Sequence, residues 1–363
     1  MDKNLSQILD LLRQESGVLS HKVFSALSDL NRSELTLFQM AWDDLSHARR
    51  QQVIRALNEQ AWTHVEFDYT AILLWTLTDA DPIVRRLSIE GLREDDDESL
   101  IVLFVRALQT DPDGEVRSAA AKALGRFVLL GEYEEIDDAD AARALQALLA
   151  AVASKSELVG VRRRAVEAVG FASDRRARLV IEDAFSDEDE LMQASALVAM
   201  GNSADSHWNK TVREALESHS HAKRLAAVYA AGELEIKATV PRLVSLLGDA
   251  DLAMQRTAVT SLGVIGGPLA RQALQAVFSE GDDALRMLAA DALETLDFNS
   301  QGLTGASDEE EPGEDWADEA DEADEADEDD DLGGYGDEDD DQGDDFDEFD
   351  LADDDDDDEA DDL

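Results

Sequence analysis

Apolar residues recur along the centre of the chain with the spacing of an amphipathic helix. In one stretch, Val116, Ala119, Ala120, Ala123 and Leu124 follow the spacing of a single helical face. Each such stretch is followed by a second apolar segment richer in leucine, at residues 100–108, 141–149, 241–247 and 270–278. The pattern therefore predicts an all-α chain of successive helical hairpins.

The hairpins repeat at a nearly constant interval. One anchor position per unit is occupied by Val84, Val116, Val161, Met192, Lys223, Met254 and Arg286. Their spacings are 32, 45, 31, 31, 31 and 32 residues. A period of this length predicts a solenoid, in which each unit packs only on its neighbours. We interpret the long spacing as an extended loop around residues 131–138.

A glycine follows the anchor by nine positions in five units, at Gly125, Gly170, Gly201, Gly232 and Gly263. Glycine tolerates the positive φ angles found where helices end. We therefore expect each of these glycines to end the first helix of its unit.

Acidic residues precede the anchors at fixed positions. Asp81, Asp113 and Asp251 lie three residues before them, where aspartate caps the N-terminus of a helix. Arg85 and Arg117 follow at i+4 from Asp81 and Asp113, a spacing that favours ion pairs within one helix. The alternative is a ladder of metal-binding carboxylates. We favour structural caps and pairs because the acids recur with the fold, in four of the units, rather than clustering once, and we expect no metal site.

The phrase Asp-x-Asp-x-x-Val-Arg, at residues 79–85 and 111–117, resembles HEAT repeats of the short bacterial kind described in phycobilin lyases. The resemblance covers residues 79–296 and implies a HEAT-like α-solenoid. It implies no single activity, because the family includes lyases, hydroxylases, base-excision proteins and plain scaffolds. The HEAT-repeat hydroxylases hold a di-iron centre with His-Glu pairs, and none of the six histidines here precedes a glutamate.

Composition divides the chain into three regions. Residues 1–78 are predicted to be a helical cap with divergent repeats, whose aromatic residues Trp62, Phe67, Tyr69 and Trp75 we assign to core packing. Residues 79–298 are predicted to be the solenoid. Residues 299–363 are predicted to be a disordered acidic tail, because charge repulsion and scarce apolar surface oppose folding.

The acidic tail, residues 307–363, contains 36 Asp and Glu and no Lys or Arg. The rest of the chain holds the remaining 49 acids and all 31 bases, a net charge of −18. Two interpretations of the tail stay open: repulsion that keeps copies soluble, and docking of a basic partner by charge and aromatic contacts. The aromatic candidates in the tail are Trp316, Tyr335, Phe346 and Phe349. A third possibility is mimicry of nucleic acid.

Arginines cluster in the middle of the solenoid, at Arg162, Arg163, Arg164, Arg175, Arg176 and Arg178. Arg162 occupies the arginine position of the repeat and is expected to be structural. The other five are candidates for an anion or acidic-peptide site, or for a surface that the tail itself covers. The alternative is solvated arginines paired with local acids such as Glu167 and Asp174.

The sequence contains no cysteine and none of the phosphate-binding, nucleophile-elbow or zinc-protease motifs that we sought. We expect a non-enzymatic, cytoplasmic scaffold or adaptor without a cofactor. Its expected partner is a protein, basic if the tail recruits it, and neither nucleic acid nor a membrane. The alternatives are a phycobilin-lyase-like protein that handles a chromophore or modifies a partner, and a chaperone for basic proteins.

Overall fold

The computed structural model describes residues 3–14, 17 and 19–303. The predicted tail, 299–363, therefore lies outside the described residues except for residues 299–303, which are helical, so the predicted boundary at 299 was too early. The first five helices are α1 (Lys3–Leu12), α2 (His21–Leu27), α3 (Arg32–Trp42), α4 (His47–Thr63) and α5 (Thr70–Thr76). Six helices follow through the middle of the chain, α6 (Pro82–Leu92), α7 (Ser99–Thr110), α8 (Gly114–Glu132), α9 (Asp138–Ala153), α10 (Val159–Val169) and α11 (Arg175–Phe185). The last seven are α12 (Glu190–Asn202), α13 (Asn209–Ala215), α14 (His221–Glu233), α15 (Val240–Leu246), α16 (Leu252–Ile265), α17 (Pro268–Glu280) and α18 (Asp283–Leu303). No strand occurs over these residues.

The helices from α4 onwards form two layers. The first helices, α4, α6, α8, α10, α12, α14, α16 and α18, each pack on the next member of the same set. The second helices, α5, α7, α9, α11, α13, α15 and α17, cover one side of this layer. The fold is therefore an α-solenoid of the HEAT or armadillo type, with the N-terminal helices α1, α2 and α3 before it.

The anchor positions form the core of the stack. Val84, Val116, Val161, Met192 and Met254 are buried, whereas Lys223 is half-buried. The predicted anchor Arg286 was wrong by one residue. Leu285 is buried and Arg286 is exposed, which makes the last spacing 31 residues rather than 32.

The repeated glycines do not end the first helices by a left-handed turn, contrary to our expectation. Gly125 lies inside the 19-residue helix α8, and Gly170 at the end of α10 has a φ of −54°. Each glycine instead faces a small residue of the next first helix. The facing residues are Ala168, Ala199, Ala230, Ser261 and Ala292, which are themselves 31 residues apart.

The close approach leaves no space for a side chain. A Cβ atom on Gly170 would lie 2.5 Å from the carbonyl oxygen of Ala199, and one on Gly263 would lie 2.8 Å from the Cβ of Ala292. Both separations are shorter than non-bonded carbon contacts allow. The glycines are therefore required by the distance between first helices and not by backbone conformation.

The unit with the 45-residue spacing, between Val116 and Val161, also differs from its prediction. Residues 131–138 do not form an extended loop. The extra residues lengthen α8 to 19 residues and α9 to 16 residues, and only residues 133–137 separate the two helices. Helical extension satisfies backbone hydrogen bonds that a loop would leave to solvent.

Aspartates begin the first helices in the places where the sequence suggested caps. Asp81 accepts a hydrogen bond from the N–H of Ile83, Asp113 from those of Glu115 and Val116, and Asp251 from that of Ala253. A second set of acids, two residues earlier, accepts from the N–H of the capping residue. This set comprises Asp79, Asp111, Asp187 and Asp249.

The predicted ion pairs within one helix were wrong. Arg85 does not bind Asp81. It reaches the next unit, where Nε and Nη2 donate to Asp111 at 2.8 and 2.7 Å. Arg117 likewise bonds with Glu157 of the following unit at 2.7 Å. The Asp81 carboxylate is occupied by Ile83, His47 and Gln51, so it is not available to Arg85.

The glycine contacts predict opposite effects for two glycines of the same helix. Gly170→Ala should lower the free energy of unfolding by about 2 kcal/mol, because its methyl group overlaps Ala199. Gly160 has no heavy atom near the position of an added Cβ. Gly160→Ala should therefore raise stability by about 0.5 kcal/mol through lower chain entropy. Urea unfolding of both variants checks this prediction, and equal midpoints would contradict it.

The inter-unit pair Arg85–Asp111 predicts a pH-dependent contribution. Burial opposes ionisation of Asp111, but hydrogen bonds from Arg85 and from the Asp113 N–H outweigh it and lower the pKa of the carboxyl. The stabilisation is therefore present above the unfolded-state pKa of about 3.9 and is lost as the pH falls through the lowered folded-state pKa.

Asp111→Asn should lower the free energy of unfolding at pH 7 by about 2 kcal/mol. The difference from the parent protein should shrink as the pH falls below about 4. Asp187→Asn is the matched control, because Asp187 bonds the Asp189 N–H without a guanidinium partner at its carboxylate. A loss at Asp111 that stays constant with pH, or an equal loss at Asp187, would refute the assignment.

Candidate partner-binding surfaces

The structure separates the predicted arginine cluster into two sites. Arg163 and Arg164 belong to α10 in the first-helix layer, whereas Arg175, Arg176 and Arg178 lie in the first turn of α11 in the second-helix layer. Arg163 is only 8% exposed. The five residues therefore do not make one solvent-facing patch.

Arg163 and Arg164 take part in a hydrogen-bond network. The Arg163 Nε donates to the Ser195 hydroxyl at 3.2 Å, and that hydroxyl donates to Glu167 at 2.7 Å. Arg164 bonds the other carboxylate oxygen of Glu167 at 3.1 Å. Glu167 is thus shared between two adjacent first helices, as expected if these arginines pair with local acids.

The network continues towards the C-terminal end of the array. The Asn202 amide donates to the backbone oxygen of Glu167 at 3.0 Å, and the Tyr229 hydroxyl donates to Asn202 at 2.7 Å. Burial, reinforced by Glu233 and Glu167, raises the pKa of Tyr229, so the hydroxyl keeps its proton as a donor. We call this chain of residues, Arg163, Arg164, Glu167, Ser195, Asn202 and Tyr229, the polar track.

The polar track ends at a pocket between α14, α16 and α18. The pocket has a volume of about 320 Å³. Its lining residues are Tyr229, Glu233, Arg256, Thr257, Thr260, Ser261, Val264, Ala284, Met287, Leu288 and Asp291. Met287 is 70% exposed at the last first helix, so an apolar group stands open to solvent beside the pocket.

The pocket is lined by two carboxylates, Glu233 and Asp291, and one base, Arg256, so acids outnumber bases there. Glu233 is exposed on one side. The protein atoms around its carboxyl group nevertheless limit its hydration, and this desolvation raises the pKa of Glu233. Asp291 lies on the same pocket wall as Met287 and Leu288. A cationic group entering the pocket would favour the ionised form of Glu233 and would find apolar surface for its stem. This site was not predicted from the sequence, because its residues come from three units and share no motif.

The arginines of α11 belong to a different surface, which we call the turn edge. It comprises the ends of the first helices, the beginnings of the second helices and the turns that join them. Ion pairs connect successive turns here. Arg126 bonds Asp96 at 2.6 Å, Arg178 bonds Asp205 at 2.6 Å, and Arg271 bonds Asp297 at 2.6 Å.

Acidic side chains also converge once on the opposite half of the array. Ligand atoms of Glu98, Asp137 and Asp140 lie within 4.8 Å of one another. Asp140 is also ion-paired with Arg143. Clusters of exposed acids are common without a metal, so we assign no metal site to these residues.

The N-terminal aromatics mainly pack inside the fold. Trp42 and Tyr69 are buried, Trp75 is half-buried against Trp42, and Trp62 is 49% exposed beneath the guanidinium of Arg93. The predicted partner-binding aromatics lie outside the described residues: Trp316, Tyr335, Phe346 and Phe349.

The comparison with protein families agrees with this architecture. The family of HEAT repeats matches residues 70–159 and 209–294. This chain is a HEAT-repeat protein. The matches include α5, so they begin earlier than the solenoid boundary that we placed at residue 79. No curated protein matches the sequence.

Solved structures similar to this HEAT-repeat protein share little sequence with it. The complex of CpcE and CpcF of phycocyanin lyase from Nostoc sp. PCC7120 is 18% identical, with a TM-score of 0.44, over 62% of this chain and 94% of that one. Human deoxyhypusine hydroxylase is 18% identical, with a TM-score of 0.34, over 81% and 96%. A designed armadillo repeat protein is 20% identical, with a TM-score of 0.32, over 53% and 98%.

Among the residues that the structure describes, no helix is both long and apolar enough to cross a membrane.

Proposed function

We propose that this HEAT-repeat protein is a non-enzymatic scaffold that binds a partner protein along its first-helix layer. The observation that carries the proposal is the polar track ending in the acidic pocket. Arg163 and Ser195 are buried within the track and support it from below. Its half-buried members, Arg164, Glu167, Asn202 and Tyr229, and the pocket lining lie on five successive first helices, α10 to α18, and so offer one recognition surface across several units. Extended surfaces of this kind are what repeat proteins use for binding.

The pocket defines the chemistry of the partner. The carboxylates of Glu233 and Asp291 outnumber the one base of the pocket, Arg256, and so favour a cation. The apolar lining residues Val264, Met287 and Leu288 favour the methylene stem of a lysine or arginine. We infer that a basic side chain of the partner enters the pocket. The half-buried members of the polar track, Arg164, Glu167, Asn202 and Tyr229, supply further polar groups beside it for the partner's backbone and side chains.

The acidic tail supports the same class of partner. Its 36 acids and lack of bases would attract a basic protein over a distance and increase the encounter rate at low salt. The same charge would repel other copies of the chain. The tail can therefore both recruit a basic partner and keep copies of the chain apart. The specificity of the contact with the partner comes from the pocket.

A photo-crosslinking amino acid tests where the partner binds. Placed at Met287, it should form a covalent adduct with a basic partner captured by the full chain. The matched site is Val102 on α7, which is 54% exposed and lies in the second-helix layer. The proposal requires adducts at residue 287 and none at residue 102.

Charge reversal gives the quantitative part of the test. Glu233→Lys should lower the yield of the adduct about tenfold or more, because a like charge then faces the entering cation. Glu182→Lys changes the net charge equally on the exposed surface of α11 and should leave the yield unchanged. Equal losses in both variants would show that only overall charge matters and would overturn the assignment of the pocket.

A further inference from the structure

The turn edge carries cations that lack partners in the described part of the chain. Arg175, Lys210, Arg213 and Lys237 are exposed, and none of their side chains has a hydrogen bond or an ion pair with another described residue. They come from three successive units, at or near the beginnings of α11, α13 and α15. The edge therefore presents a row of free positive charge across these units.

Charge along the turn edge changes sign between the two halves of the array. Segments 94–98 and 131–140, in the earlier turns, hold five and six acids and no base. Segments 173–178, 203–213, 233–242 and 266–271 hold eight Lys and Arg against four acids. A polyanion would thus be repelled by the first half of this edge and attracted to the second half.

The last described helix ends on the same edge. First helices end where second helices begin, and the Arg271–Asp297 pair joins the first turn of α17 to the C-terminal half of α18. The chain continues from Leu303 for 60 residues, including all of the acidic tail. Adjacent first helices are separated by about 10 Å, so Arg175 lies roughly 40 Å from α18. A flexible chain of the remaining length has a root-mean-square span of about that size.

We propose that the acidic tail binds in cis along the turn edge, over Arg175, Lys210, Arg213 and Lys237. Because the tail is part of the same chain, its effective concentration at the turn edge is on the order of millimolar. This favours binding of the tail over binding of anions from solution. The body outside the tail has a net charge of −18, which repels every polyanion, so a tethered one is favoured over free nucleic acid as the occupant. The bound tail would cover the cations, and a basic partner would compete with the edge for the tail.

Energy transfer between two dyes on the full chain tests this contact. The protein has no cysteine, so Ser206→Cys on the turn edge and Ala360→Cys in the tail give two unique labelling sites. Transfer should be high at about 0.02 M salt and should fall at about 0.5 M salt, where charges are screened. Arg175→Glu/Lys210→Glu/Lys237→Glu should abolish the difference between the two salt concentrations.

The control is Lys22→Glu/Arg106→Glu/Lys155→Glu, which changes the net charge equally at exposed bases away from the turn edge. It should retain the transfer of the parent protein. If both triple variants lose the energy transfer between the dyes at low salt, or if both keep it, the proposal is overturned. Circular dichroism confirms that each variant is folded. The test is independent of the pocket, since Glu233 and Asp291 are unchanged.

Discussion

The distance between neighbouring first helices depends on the contact of a glycine with a small residue. Gly125, Gly170, Gly201, Gly232 and Gly263 each allow the next first helix to approach until backbone atoms meet alanine or serine. Because both partners recur every 31 residues over most of the array, the same separation is repeated from unit to unit. The second helices, the turns and the side chains that reach between units are positioned by this separation.

The polar contacts between units follow from that spacing. Arg85 and Arg117 reach carboxylates of the following unit because its turn lies within the length of one guanidinium side chain. Further along the array, the Lys223 Nζ donates a hydrogen bond of 2.6 Å to the Gln193 Oε1 of the preceding unit, so a neutral side chain takes the place of a carboxylate. Each arginine also donates to a backbone oxygen six residues earlier, and Gln193 and Gln255 make the equivalent bond. These contacts fix the turns without adding to the apolar core.

The sequence predicted the features that depend on local pattern. Residues close to one another in the chain determine the helical period and the two-helix unit. They also determine the capping positions of Asp81, Asp113 and Asp251. The role of Gly170 was not predictable from pattern alone, because a glycine that ends a helix and a glycine that admits another helix look alike. The pairing of Arg85 was missed for the same reason, since the alternative partners Asp81 and Asp111 differ only in three dimensions.

The pocket was missed because no local signal marks it. Tyr229, Thr260 and Asp291 lie 31 residues apart, at the same place in three successive units, and their side chains differ in chemistry. Surface positions that break the repeat, rather than those that maintain it, therefore distinguish this solenoid. The acidic pocket and the basic half of the turn edge are two such departures. The acids of the pocket and the exposed bases of the turn edge are different side chains, so partner binding and tail binding can be tested separately.

A double-mutant cycle at Gly263 and Ala292 tests the central claim most directly. Gly263→Ala should destabilise the array, because its methyl group would overlap the Ala292 Cβ. Adding Ala292→Gly removes that atom and should restore stability, with a coupling of about 1–2 kcal/mol in urea unfolding. If the two changes simply add, the glycine is not required by the close approach, and this account of the repeat spacing is wrong.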